Sequence, residues 1–155
     1  SSGVAIVRVG APTEIEMVEK KHRIEDALEA VRSAQNGGVV PGGGLTLFRI
    51  SLDINKDIGS LDLTEDQKIA ADIFLSVLQS PMAEMAHNAG YEYDDIKKMV
   101  VNEDPHVGFD FLTGKRTNLL EKGIIDPAKV TRCALKNAIS AAGTLLLTNH
   151  SIVEK

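Results

Sequence analysis

The chain has no tryptophan, two tyrosines, four phenylalanines and a single cysteine in 155 residues. One cysteine, Cys133, cannot close an internal disulfide, so the fold must hold without one and a reducing compartment suits it. Basic residues are outnumbered, 17 Lys and Arg against 22 Asp and Glu, for a formal charge of −5. With no Lys/Arg cluster interleaved with aromatics, this balance argues against a nucleic-acid or anionic-membrane surface and leaves small molecules or other proteins as partners. Long apolar runs are missing too. "AISAAGTLLL" (138–147) is broken by Ser140, Gly143 and Thr144 and falls far short of the roughly 20 residues a membrane span needs. The start, "SSGVAIVRVG", has no charged n-region, no full apolar h-region and no initiator methionine, and reads as the interior of a longer protein.

What is present is globular, 43% hydrophobic and 25% charged. "VAIVRV" (4–9) reads as one strand closed by Gly10. Thr13 and Glu16 have the spacing of a capping box, and Met17, Ile24, Leu28 and Val31 recur at helical spacing until Gly37 and Gly38, predicting a helix over 14–36. A second helix starts inside "GGGLTLFRI" and gives way to a loop over 53–59. Thr64 and Gln67 open a third, with Ile69, Ile73, Phe74, Val77 and Leu78 as its apolar face. Ser80-Pro81 reads as the N-cap and first position of another, closed by Gly90. A short helix near 94–101, a hairpin turning at Thr113-Gly114, a helix with Asp126 as cap and Pro127 at its first position, and a strand in "NHSIVEK" (149–155) complete the order. The class is mainly α with a small β component, and no internal repeat is visible.

Three residue groups could carry chemistry. Three glycines, Gly42 to Gly44, precede a helix, where a missing Cβ and free N–H groups let a ligand reach the main chain; a flexible loop is the plain alternative. "GGGLTL" lacks the G-x-G-x-x-G spacing, and "GFDFLTGKRT" (108–117) has five residues between its glycines and Arg after its lysine, so neither is a phosphate loop. Asp26 lies opposite the Ile24/Leu28/Val31 stripe, free to orient a water or a metal-bound phosphate, or simply one charge on a wet face. Asp126 in "GIIDP" sits where an apolar segment meets a helix, either capping it or accepting hydrogen bonds from hydroxyls such as those of a ribose. His22, His87, His106 and His150 show no ligand spacing with one another or with Cys133, and no nucleophile and base stand in a recognisable context.

"EDALEAVRSAQNGGVVPGGG", "SPMAEMAHNAG" and "GIIDPAKVTRCALKNAISAAGTLLLTN" follow one another in an order that resembles the C-terminal part of a group I chaperonin, the Hsp60/GroEL family, essentially end to end. The resemblance implies a piece of an ATP-driven protein-folding machine of stacked rings, of the protein-folding isomerase class. It divides the chain into the end of an apical domain and hinge strand (1–9), the C-terminal limb of an intermediate domain (10–37), and the C-terminal half of an equatorial ATP-binding domain (38–155). It also implies a bound ATP with Mg2+, whose ligands belong mostly to the absent N-terminal half, and K+. Partners would be a homo-oligomeric ring, sevenfold symmetry being one form, with unfolded clients and a co-chaperonin engaged through the absent apical domain. The compartment would be the cytoplasm of a bacterial-type cell, or an organelle matrix.

Residue by residue, the resemblance puts the backbone of Gly43 against the nucleoside end of ATP, the ribose hydroxyls on Asp126 and the adenine under Ile124. The base edge falls to the loop of Asp110, Phe111 and Leu112, and water and metal positioning to Asp26. The family usually has Asn followed by small residues where this chain has "DFL", and Asp110 cannot donate as Asn would. Ala83 stands where many members have an arginine matched to an acid at Glu92, and Asp95 replaces an apolar contact. That implies weak or altered ring-to-ring pairing, with one ring or two left open. Without the phosphate clamp, little or no hydrolysis is expected of this chain alone. The alternative is a non-catalytic helical domain that acts as an oligomerisation or protein-interaction module.

Overall fold

A computed structural model describes residues 3–150 and divides the chain into two units, Ser1–Gly38 with Pro127–Lys155, and Val39–Asp126. The first unit holds two helices, α1 (Glu14–Gly37) and α5 (Ala128–Leu146), packed on each other. Thr13 opens α1 in extended conformation, its hydroxyl accepting from the Glu16 N–H at 3.3 Å. Gly38, at φ 75°, ends it and donates to the Ala34 carbonyl at 2.8 Å. Neither helix buries a residue fully among the described residues, and Leu28 and Val31 stay about half exposed. The apolar stripe expected of α1 is therefore present but uncovered.

The strand expected over 4–9 does not form. A strand needs a neighbour for its N–H and C=O groups, and Val4 and Ile6 stand open to solvent with no pairing partner among the described residues. Most of the strand expected over 149–155 lies outside the described residues.

The second unit carries β1 (Val39–Pro41), α2 (Leu45–Ile58), α3 (Glu65–Asn88), α4 (Tyr93–Val100), β2 (Val107–Asp110), β3 (Lys115–Asn118) and β4 (Ile125–Pro127), whose last residue passes into the other unit. Helix α2 runs through the stretch read as a loop, because Leu52, Ile54 and Ile58 continue its partly buried side beneath the polar residues between them. Helix α3 begins with a full capping box: Thr64 Oγ1 accepts from Gln67 N at 3.3 Å and Gln67 Oε1 accepts from Thr64 N at 3.0 Å.

Helix α3 does not break at Ser80-Pro81. A proline inside a helix costs about 3 kcal/mol, but Leu78, Met82 and Ala86 are fully buried on both sides of it, and unwinding there would uncover them. This burial also corrects the expected apolar face. Leu75, Leu78, Met82 and Ala86 point inward, whereas Ile69, Ile73 and Val77 are more than half exposed.

Leu45, Phe48, Met82, Val100 and Leu119 form one core cluster, and Ala86, Ile96 and Phe109 a second. Phe111 packs against both. Strands β2 and β3 pair antiparallel, Val107 opposite Asn118 and Asp110 opposite Lys115, as the Thr113-Gly114 turn implies. Ring edges join the hairpin to the core, with Phe109 5.0 Å from Tyr91 and 5.3 Å from Phe111 between centroids. Among the described residues no helix is long and apolar enough to cross a membrane.

Candidate functional site

The triple glycine is a structural turn before it is anything else. Strand β1 pairs with β4, and just beyond β1 Gly42 N donates to the Ile124 carbonyl at 2.9 Å. A Cβ on Gly42 would sit 3.2 Å from that same oxygen. Gly43 and Gly44 follow with φ of 63° and 71°, the left-handed region that glycine enters without a Cβ penalty. At Gly44 a Cβ would stand 2.7 Å from Met82 N and 2.9 Å from Met82 Cα, so α2 and α3 touch there backbone to backbone. The turn closes with Leu45 N on the Gly42 carbonyl at 3.1 Å and the Thr46 hydroxyl on the Pro41 carbonyl at 2.8 Å.

Gly43 differs from its neighbours. Nothing would lie closer to its Cβ than 3.7 Å, and the nearest groups are Leu119 Cδ1, the Phe109 carbonyl and Phe111 Cε2 at 3.8 Å. Crowding accounts for Gly42 and Gly44, whereas at Gly43 the left-handed φ of 63° alone calls for glycine and the space around its Cβ is open. The α2 N-terminus that follows has no side-chain cap and no acid in its first turn, which leaves it suited to an electron-rich ligand.

Within the Val39–Asp126 unit, Gly43 thus lies beside Phe111 and Gly42 beside Ile124, while Asp126 stands on β4, the strand paired with β1. Asp126 is not the helix cap expected of it. Pro127 takes the N-cap position of α5, which has no side-chain cap, because Asp126 is drawn into β4 beside β1. Asp126 is exposed by its surface area, and the partial desolvation of its carboxyl raises its pKa from the ordinary value; no hydrogen-bond donor meets it among the described residues.

Asp110 is spent locally. Its Oδ2 accepts from the Thr113 hydroxyl at 2.6 Å, and its Oδ1 from Leu112 N at 3.0 Å and Thr113 N at 3.4 Å. The Thr113 hydroxyl first, then those two N–H groups, hold this carboxyl below its ordinary value. Leu112 is 95% exposed at the tip. Asp26 belongs to the other unit, exposed on α1. Among the described residues no group of three or more His, Cys, Asp or Glu is placed to hold a metal ion.

Sequence reasoning missed the backbone contact of Gly44 with Met82, which separates two glycines the motif treats alike; no local pattern announces a contact between residues that far apart. The half-burial of Phe111 was equally hidden, although an aromatic at a hairpin tip hints that the tip has something to cover.

All of the chain, residues 1–155, matches the TCP-1/cpn60 chaperonin family. The chain belongs to that family. Among solved structures it is similar to a group III chaperonin in the open state, with 32% identity and a TM-score of 0.78 over 93% of this chain. That match covers 30% of the other chain, so this chaperonin chain spans less than a third of the length of its structural relative. The largely helical fold agrees with a chaperonin helical domain.

Proposed function

We propose that this chain supplies the nucleoside side of an ATP pocket in a chaperonin subunit that folds other proteins in an oligomeric ring. Two features support this reading: Asp126 does not cap α5 and stands on β4, the strand that pairs with β1, and in the turn that follows β1 the space around a Gly43 Cβ is open to 3.7 Å. A ribose diol needs acceptors, which an ionised carboxylate provides and a capping carboxylate would not have free. Gly43 lets a sugar approach the main chain, and Phe111 and Ile124 offer apolar surface to a base.

Bound ATP supplies the phosphoanhydride whose cleavage drives the machine. Asp26 orients the attacking water when the hinge helix closes, and Mg2+ and K+ are held chiefly by residues outside these 155. Taken alone, the chain binds weakly and does not turn over. Assignment to group I rests on the "GGVVPGGG" and "GIIDPAKVTR" patterns; the cytoplasm or an organelle matrix, the clients, the co-chaperonin and the ring number belong to the same reading.

Asp126→Asn separates a binding role from a structural one. Because partial desolvation holds the folded carboxyl above its ordinary value, the charged form is disfavoured by folding. That group's contribution to stability is present below the unfolded pKa and lost as pH rises, so at neutral pH the neutral amide leaves stability equal or higher. Affinity for a fluorescent ATP analogue should meanwhile fall about tenfold, the worth of a hydrogen bond to a charged group. Wild-type affinity should also decline on acidification at a higher pH than an ordinary carboxylate would give. Unchanged affinity with lowered stability would make Asp126 structural and the proposal wrong.

One observation favours the second reading, an interaction module: Ile69, Ile73 and Val77 form an exposed apolar stripe along α3. Association that ignores nucleotide and is abolished by Ile73→Lys would support it.

A further inference from the structure

We propose that the Val39–Asp126 unit carries a second binding site, a cleft between α2, α3 and α4 that takes a small zwitterion with an apolar body, of the kind an aliphatic free amino acid presents. This site does not depend on the nucleotide reading above. The cleft has a volume of about 340 Å³ and shares no lining residue with the glycine turn; sites for small ligands usually measure about 300–1,000 Å³. Its inner lining is apolar, with Leu75 buried and Leu52 half-buried. All three helices add polar groups, Asn55 from α2, Asp72 and Gln79 from α3, and Lys97 from α4.

The charges single this cleft out. Asp72 and Lys97 line it with opposite signs, yet they do not come within ion-pair distance of each other, and neither meets another counter-ion among the described residues. Charged neighbours on the same helices do pair: Lys68 meets Glu65 at 2.9 Å and Lys98 meets Asp95 at 3.3 Å. A carboxylate and an ammonium held apart across one cavity suit a guest that brings the opposite charge to each. Gln79 adds a second donor at the ammonium side. The Tyr93 hydroxyl donates to Gln79 Oε1 at 2.7 Å and stays protonated, its pKa pushed up to about 12 by burial first and then by the charge of Asp94. With its carbonyl committed, Gln79 has Nε2 left to offer, and no acceptor meets that group among the described residues. Lys97 and Gln79 then serve a carboxylate, Asp72 and the Asn55 carbonyl serve an ammonium, and Leu52 and Leu75 cover the aliphatic body. Tyr93 acts through Gln79 and is a positioning residue.

Amide-resolved nuclear magnetic resonance titration of the intact chain with L-leucine tests this. The signals of Asn55, Asp72, Gln79 and Lys97 should move together along one saturable curve. N-acetyl-L-leucine, which lacks the ammonium, and L-leucinamide, which lacks the carboxylate, should each bind at least about threefold more weakly, the worth of an ion pair open to water. Asp72→Asn should erase the difference between leucine and N-acetyl-leucine and keep the penalty for leucinamide, and Lys97→Met should do the reverse. Tyr93→Phe keeps the ring and frees the Gln79 amide to turn, so it should shrink the penalty for leucinamide alone. The three ligands are compared on the wild-type chain, so the test stands even where a variant fails to fold. Absence of any saturable movement of those four signals with leucine, or equal affinity of the wild type for leucine and both blocked forms, overturns the inference.

Discussion

Gly44→Ala unfolds the Val39–Asp126 unit. The added Cβ would lie 2.7 Å from Met82 N, 2.9 Å from Met82 Cα and 3.0 Å from Met82 Cβ. These are atoms of a helix, not the end of a side chain that can swing aside, so α2 must move off α3. Any such shift opens the space between Leu45, Phe48 and Met82, all almost completely buried; loosened core contacts of this size cost about 2–5 kcal/mol. The φ of 71° at this position adds a further ~1–2 kcal/mol for a residue with a Cβ. Together these rival the whole stability of a small unit, about 5–15 kcal/mol for an ordinary domain. Urea denaturation followed by circular dichroism should show no cooperative transition, or a midpoint near zero denaturant. Gly43→Ala, where the nearest atom is 3.7 Å away, should lose only the backbone term and keep its transition. Equal losses in the two variants would mean that the contact with Met82 does not set the helix spacing.

Arg49→Met is the second large loss. The guanidinium gathers the chain around the end of α4: Nη1 donates to the Val101 carbonyl at 3.0 Å, and Nη2 to Val100 at 2.7 Å, Asp104 at 3.0 Å and Val107 at 3.2 Å. Burial lowers its pKa, and the charges of Asp104, Asp53 and Glu103 work against that shift, so the cation persists. A positive charge at the C-terminal end of a helix also meets the negative end of its dipole. Met fills similar volume without any donor, and withdrawing these charge-assisted bonds should cost about 3–5 kcal/mol. Amide exchange in β2 and β3 should accelerate, since Val107 begins the hairpin. Arg49→Lys should recover only part of the loss, because an ammonium cannot fork toward four carbonyls. Full recovery by lysine would show that charge alone does the work.

Local chemistry was legible in the sequence; distant contacts were not. The Thr64/Gln67 box, the extent of α1 and the hairpin turn rest on residues within four positions of each other, where propensity and capping act directly. Pro81 misled because the local signal for a helix start is real, yet the burial of Leu78, Met82 and Ala86 outweighs it. The strand over 4–9 misled in the opposite way, since β-branched residues favour a strand that only a neighbour can stabilise. Ile69, Ile73 and Val77 keep helical spacing, but periodicity alone does not say which of two apolar faces a helix will bury. At the site, the resemblance named Gly43, Ile124 and Asp126 as parts of one pocket, while the division of labour within the glycine turn and the self-satisfied state of Asp110 required coordinates.

The most direct measurement is an amide-resolved nuclear magnetic resonance titration of the intact chain with adenosine, which carries no phosphate and so reports on the nucleoside side by itself. The signals of Gly43, Phe111, Ile124 and Asp126 should move together along one saturable curve, and Gly43→Val should abolish the movement without unfolding the unit. If those four signals stay still while adenosine shifts others, or if Gly43→Val responds as the wild type does, the triple-glycine turn is not a nucleoside site.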